Sequence, residues 1–345
     1  MLSHSEIKSF QKSDLLGYFS GKKVLITGAS GFIGGYILES ISLISTLRAF
    51  APVEVVALSR NQVLNCSERV NESTVIHKVG DKLTDFIIDK QFDIIIHAAS
   101  PASPKLFSSH AEMDFINSGV MENLVSNQKS LESFVYFSAG EVYGPSAPVF
   151  VDETFPTDFD PSLTRSVYPI SKIKGEEKLL NLSSKYDFKP FIIRLFHTFG
   201  PGIRRNDGRS ISDFFWQAAC GHTPKLYSDG SSKRSFLFAT DMVLAIFYIL
   251  NSTNNITTYN VGSETLISIK DFALTIAERA GLNKKFIISN SDPNHEKSPI
   301  KEIAPNLERL KALGWREQFS LDLGVTITLE WVQSKLQIDS FWGTH

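Results

Sequence analysis

The apolar run Lys23–Thr27 leads without a break into Gly28-Ala29-Ser30-Gly31-Phe32-Ile33-Gly34, and then into a pattern of helical length. A strand that turns at once into a helix, with glycines spaced Gly-x-x-Gly-x-x-Gly, has few uses. The glycines permit a tight turn, let a diphosphate approach the backbone, and let the helix pack on the strand. The helix N-terminus then faces the negative charge. Alone, such a motif also occurs as an ordinary strand–helix turn. The strand and helix patterns downstream favour a dinucleotide loop, with Gly28, Ser30, Gly31, Phe32, Ile33 and Gly34 in contact with the cofactor.

Short runs at 53–58, 74–78, 93–98, 134–138 and 191–195 are nearly all apolar, as strands buried on both faces must be. Segments of helical length lie between them, at about 32–45, 83–89, 111–128 and 168–186. Such alternation predicts an α/β fold, a doubly wound parallel Rossmann sheet with right-handed crossovers. After Phe199 the character changes to Gly200-Pro201-Gly202, a basic run with Arg204, Arg205 and Arg209, and shorter elements. The expected division is an N-terminal extension at 1–20, a dinucleotide-binding domain at 21–199 and a smaller C-terminal substrate-binding lobe at 200–345. The extension mixes Glu6, Lys8, Lys12 and Asp14 among apolar residues, which suits a short packed helix and not a signal peptide.

With 42% apolar and 21% charged residues among 345, the chain is neither disordered nor a coiled coil. A net charge of −2 gives no general attraction to nucleic acid or to an anionic membrane, so an anionic ligand needs local arginines. The two cysteines, Cys66 and Cys220, stand apart and outside any metal-ligand pattern; a reducing, cytoplasmic setting and no metal are expected.

The second strand ends in Ser59-Arg60-Asn61, where an acidic residue would hold the adenosine ribose. A hydroxyl beside an arginine suits a 2′-phosphate, so NADP is favoured over NAD, unless Arg60 is only a solvated loop charge. Asp81, after the third strand, is placed either for the adenine edge or as a turn residue.

Tyr168-Pro169-Ile170-Ser171-Lys172 opens a helical segment, with the proline in its first turn. Tyrosine and lysine at this spacing share a helix face. A phenol near its reference pKa of about 10 is a poor base at neutral pH, and a neighbouring ammonium together with a positive nicotinamide ring is expected to bring it down. The pair therefore points to proton transfer.

Taken together, these residues resemble the extended short-chain dehydrogenase/reductases that act on nucleotide-sugars: epimerases, 4,6-dehydratases and UDP-glucuronate decarboxylases. The resemblance runs from about Lys22 to Trp331 and includes His97-Ala98-Ala99-Ser100, Asn117, Glu141-Val142-Tyr143-Gly144, Arg194, Gly200-Pro201, Lys233-Arg234-Ser235-Phe236 and Asp241. Within the group, His97–Pro104 and Asn206-Asp207-Gly208-Arg209 are most like the decarboxylases. The resemblance implies catalytic roles for Tyr168, Lys172 and Glu141, with Tyr168, Lys172, Ala98 and Ala99 also touching cofactor. It further implies that Ser100, Ser138, Ala139, His197, Arg209 and Arg234 line the substrate, Arg234 gripping its diphosphate.

Three positions depart from that pattern. The hydroxyl residue that would orient the reacting sugar hydroxyl is Ala139, with Ser138 adjacent but on the other side of a regular strand. The acid that dehydratases carry next is Gly140, and the usual asparagine of Arg-x-x-Asn is His197. The expected activity is thus NAD(P)-dependent oxidation or reduction at sugar C4, as an epimerase or 4-keto reductase. Decarboxylase-like or dehydratase-like chemistry, or a catalytically impaired cofactor-binding protein, are the alternatives. A homodimer through the 111–128 and 168–186 helices is implied, without nucleic-acid or membrane partners.

Overall fold

The computed structural model describes residues 2–11, 14–44, 50–59, 74–78, 90–100, 113–157, 159, 166–205, 207–282, 287–288 and 299–342. Arg60, Cys66 and Asp81 lie outside them. Strands β1 (Lys23–Thr27), β2 (Glu54–Ser59), β3 (Thr74–Lys78), β4 (Ile94–His97) and β5 (Ser133–Ala139) come from the first part of the chain. Next come β6 (Phe150–Val151), β7 (Lys189–Leu195), β8 (His197–Phe199), β9 (Lys225–Leu226), β10 (Lys233–Phe238) and β11 (Thr258–Val261). The last are β12 (Leu266–Ser268), β13 (Ile287–Ile288) and β14 (Glu302–Pro305).

Seven of these strands form one sheet in the order β11-β7-β5-β4-β1-β2-β3, and every pairing in it is parallel. The expected α/β doubly wound sheet is therefore present. Strand order reverses between β1 and β4, the switch point outside which such sheets hold their ligands. β4 and β5 are buried along their whole length, because helices cover both faces.

The helices are α1 (His4–Gln11), α2 (Phe32–Ile44), α3 (Met121–Val125), α4 (Val167–Tyr186), α5 (Ser210–Ala219), α6 (Ala239–Leu250), α7 (Ile269–Arg279), α8 (Glu308–Ala312) and α9 (Leu321–Trp342). One face of the sheet buries Val24, Ile26, Ile96 and Val135 against α2 and α6 residues such as Ile37, Ile41, Val243 and Phe247. The other buries Leu25, Ile95, Phe134 and Tyr136 against Met121, Leu124, Leu179 and Leu182 of α3 and α4. Each large side chain so buried contributes roughly 1.5–3 kcal/mol.

The second sheet runs β12-β10-β14-β6, with β8 beside β10. It draws β6 from before residue 200, while β11 from after it returns to the large sheet. The two sheets are thus laced together by the chain. The opening segment is a short helix whose Phe10 packs on Phe247 of α6, ring centres 5.9 Å apart. Its buried Glu6 accepts hydrogen bonds from the hydroxyls of Thr240 and Tyr36.

The helical pattern at 111–128 differs in detail from a regular helix. Phe115–Gly119 is a wide π-type turn closed by the Val120 N–H on the Phe115 carbonyl at 3.1 Å, and only then does α3 begin. The wide turn holds Asn117 fully buried beneath α4.

Candidate active site

The glycine loop is a cradle built by close approach. Gly28 has a φ of +70°, and a Cβ there would lie 2.7 Å from the backbone of Ala99, just beyond β4. At Gly34 a Cβ would run into the Gly28 carbonyl, and at Gly31 it would sit 3.0 Å from that same oxygen. The loop is tied to β2 by the Ala29 N–H on the Leu58 carbonyl at 3.2 Å. Across its apex the Arg204 guanidinium donates to the Ser30 carbonyl. Opening N–H groups at the start of α2, beside glycines that carry no side chain of their own, fit a dinucleotide diphosphate. Ser59 lies buried at the end of β2 beside this loop.

Tyr168 and Lys172 lie in the first two turns of α4. Gly175 brings this helix against the sheet, since a Cβ there would run into the Tyr136 hydroxyl. Lys172 is buried, and its Nζ donates to the Phe137 carbonyl at 2.7 Å and to Asn117 Oδ1 at 3.1 Å. The Asn117 Nδ2 in turn donates to Ser171 Oγ at 2.9 Å, and that hydroxyl to the Tyr168 carbonyl at 2.7 Å. Burial pushes the Lys172 ammonium down to about 7, with the Glu176 charge one turn away pulling the other way.

The fall in the Tyr168 pKa expected from the ammonium and the nicotinamide ring together does not come from the protein's own groups. Burial holds the phenol above the ordinary tyrosine value, the Glu141 charge adds to the rise, and Arg209 offsets only part of it. Desolvation of the phenolate outweighs the charges around it.

The same interactions show which residues converge. Glu141, in the turn Gly140–Tyr143 after β5, and Arg209, at the N-terminus of α5, both act on Tyr168. Arg209 and Arg234 both act on His197, which burial and these two cations push down to about 3. His197 is therefore neutral at ordinary pH. Arg209 is held by Asp207 through Nε at 2.9 Å. Arg234 is largely buried, donating to the carbonyls of Ile300 at 2.6 Å and Lys301 at 3.0 Å. Five of the expected residues, Tyr168, Glu141, His197, Arg209 and Arg234, thus share one electrostatic neighbourhood.

Ser138 does not join them. Its hydroxyl donates to Glu176, which also receives Arg194 through Nε at 3.1 Å and Nη2 at 2.7 Å. The strand alternation turns Ser138 under α4, which corrects its expected place along the substrate. Ala139 is buried at the end of β5, and a Cβ on Gly140 would meet the Phe196 ring at 2.9 Å. His97 closes the base of the site: its Nε2 donates to the Ile116 carbonyl at 3.0 Å, so its Nδ1 accepts from the Thr27 hydroxyl at 2.7 Å. Ser100, two residues beyond Ala98, carries a buried hydroxyl with no partner among the described residues.

A family model for NAD dependent epimerases and dehydratases matches residues 24–262. The chain belongs to that family. Family members are NAD-dependent enzymes that work on nucleotide-sugars as epimerases, dehydratases or decarboxylases. Among curated relatives, UDP-glucuronic acid decarboxylase 1 of Xenopus tropicalis is 26% identical over 322 residues, covering 92% of this chain and 73% of that one. The human dTDP-D-glucose 4,6-dehydratase is 25% identical over 332 residues, covering 90% and 89%. The fold matches UDP-glucose 4-epimerase of Thermotoga maritima, with a TM-score of 0.74, 18% identity and 91% and 99% of the two chains covered. It also matches UDP-glucuronic acid 4-epimerase of Bacillus cereus, at 0.73, 19%, 93% and 99%.

Several residues of this epimerase/dehydratase site are poorly legible in sequence. The Phe137 carbonyl and Ser171 that fix Lys172 and Tyr168 carry no motif, and the wide turn that inserts Asn117 has no periodic signature. Arg204 reads as one of a basic run, yet it alone of that run holds Ser30 among the described contacts. A buried pair such as Glu176–Arg194 is visible only once β7 lies beside β5.

Proposed function

We propose that this chain oxidises or reduces a nucleotide-sugar at C4, as an epimerase or 4-keto reductase. The observation that carries the reading is the convergence of Glu141 and Arg209 on Tyr168, with Lys172 fixed beneath it. Tyr168 takes the proton of the C4 hydroxyl, or returns it. Lys172, held by Asn117 and the Phe137 carbonyl, stands with its Nζ 5.7 Å from the centre of the Tyr168 ring. A bound nicotinamide supplies the hydride acceptor and a positive charge that favours the phenolate. Arg209 and Arg234 grip the diphosphate, and neutral His197 between them meets the sugar or its phosphate as a hydrogen-bonding group. The sheet carrying the glycine loop holds the cofactor and the lobe after residue 200 the substrate.

Dehydration is disfavoured because Phe196 fills the place of any side chain at position 140. Decarboxylation is the second reading, favoured by Glu141 beside Tyr168 and by the Xenopus relative. NADP is placed ahead of NAD on the Ser59-Arg60 pair; Arg60→Ala should then weaken NADP far more than NAD. A homodimer through α4 and the Phe115–Gly119 turn is supported by half-exposed Phe115 and Leu180 on that face. Light scattering at micromolar concentration tests it, and a monomer would remove it. The scarcity of cysteine supports a cytoplasmic setting; no helix among the described residues is long and apolar enough to cross a membrane.

The deciding experiment is mass spectrometry of products from UDP-glucose, UDP-glucuronic acid and UDP-N-acetylglucosamine with NAD or NADP. Unchanged mass with altered chromatography indicates epimerisation, a loss of two hydrogens with reduction of the cofactor indicates a 4-keto reductase run backwards, and loss of carbon dioxide indicates decarboxylation. No product from any of them would sink the C4 reading.

A further inference from the structure

Position 139, where a side-chain hydroxyl would meet the reacting sugar oxygen, has only a methyl group. β4 and β5 pair in parallel with His97 opposite Tyr136, and their rings stack on one side of the sheet, 6.0 Å apart. The pairing ends at that couple, and three residues further along each chain stand Ser100 and Ala139, which an extended continuation puts level and on one side of the sheet. Adjacent strands lie about 4.8 Å apart, so a serine hydroxyl just past β4 at that spacing reaches the space above the neighbouring alanine. The Ser100 Oγ is buried and has no hydrogen-bond partner among the described residues. A buried donor without a partner is costly and is rarely kept without use. Two other hydroxyls share that condition, Ser42 near the end of α2 and Ser252 after α6. Both lie towards the N-terminal ends of the strands: α2 runs back from the end of β1, and the Ser252 carbonyl accepts from Lys189, which opens β7. Ser100 alone of the three stands where the strands end over the site.

We propose that Ser100 supplies the hydroxyl that position 139 lacks and orients the sugar oxygen on which Tyr168 acts. This rests on the C4 reading above. The Ser100 Oγ–H donates to the sugar oxygen while that oxygen's own proton passes to Tyr168. The donor then stays in place as the oxygen becomes a carbonyl, so it acts on oxidation and on the return reduction alike. The hydroxyl has moved from the end of β5 to the segment that follows β4, and that segment also closes over the glycine loop through Ala99.

The test compares wild type, Ser100→Ala, Ala139→Thr and the double variant. Single-turnover hydride transfer is monitored by cofactor absorbance with UDP-glucose, UDP-glucuronic acid and UDP-N-acetylglucosamine. Ser100→Ala should slow transfer by about ten- to a hundredfold at unchanged cofactor affinity, as expected for one hydrogen bond that strengthens in the transition state. Ala139→Thr placed on top should restore most of that loss. Calorimetry gives a readout without turnover: the preference for the sugar nucleotide over its 4-deoxy analogue should shrink in Ser100→Ala. Wild-type speed in Ser100→Ala overturns the proposal, as does a slowing that Ala139→Thr fails to relieve with the 4-hydroxyl preference intact. Should wild type itself transfer no hydride with any of the three, the C4 reading falls and takes this one with it.

Discussion

The Glu176 carboxylate, one helical turn beyond Lys172, grips the Arg194 guanidinium of β7 through two hydrogen bonds, at 3.1 and 2.7 Å. The pair is buried between α4 and the sheet and also receives the Ser138 hydroxyl. Arg194 lies over the Tyr143 ring as well, 4.9 Å from its centre. It thereby ties the helix of Tyr168 and Lys172 to the turn that carries Glu141.

Breaking one partner should therefore be far worse than removing both. Glu176→Ala leaves a buried guanidinium without its counter-charge and should cost about 3–5 kcal/mol. Glu176→Leu combined with Arg194→Met should recover much of that. Denaturant unfolding of the single and double variants measures the difference; equal losses would show that the pair is not coupled.

Asn117 acts through Lys172. Asn117→Ala removes one of the two acceptors that fix Nζ and leaves the phenol's neighbour loosely placed. Hydride transfer should fall by about tenfold or more, from a hydrogen bond to a charged group of roughly 1.5–3 kcal/mol, while KM stays near wild type. Tyr168→Phe should abolish transfer. A rise in KM with kcat unchanged would assign Asn117 to substrate binding instead.

The buried histidines make stability depend on pH in a fixed direction. His97 is held down to about 4 by burial, against an ordinary value near 6.5. The unfolded chain takes up a proton below about 6.5 where the folded chain does not, so stability is full above that pH and is lost as pH falls towards 4. The His97 share is on the order of 3 kcal/mol. His197, held down by burial and by two arginines, acts in the same direction. Denaturation at pH 7 and pH 4.5 should show a smaller pH-dependent loss in His97→Asn than in wild type; an equal loss would rule His97 out as a source.

Gly28→Ala should cost cofactor binding before it costs the fold. The residue has a φ of +70°, and the new Cβ would lie 2.7 Å from the Ala99 backbone. The left-handed conformation alone costs an ordinary residue about 1–2 kcal/mol, and relief of the clash must move the loop from β4. Calorimetric affinity for NAD and NADP should drop by more than tenfold in a variant that still unfolds cooperatively. Retained affinity would show that the diphosphate sits elsewhere.

The parallel sheet, the glycine loop and the Tyr168–Lys172 pair were legible in the chain because each is written in neighbouring residues. Apolar runs mark strands that are covered on both faces, and a helix face is set by spacing alone. Tertiary structure decided what depends on residues brought together from afar. It turned Ser138 away to Glu176, surrounded Tyr168 so that burial raises its phenol, and opened the wide turn that inserts Asn117. Desolvation and strand register are properties of the packed molecule: burial is defined by what surrounds a group, and no local spacing records which strand will become its neighbour.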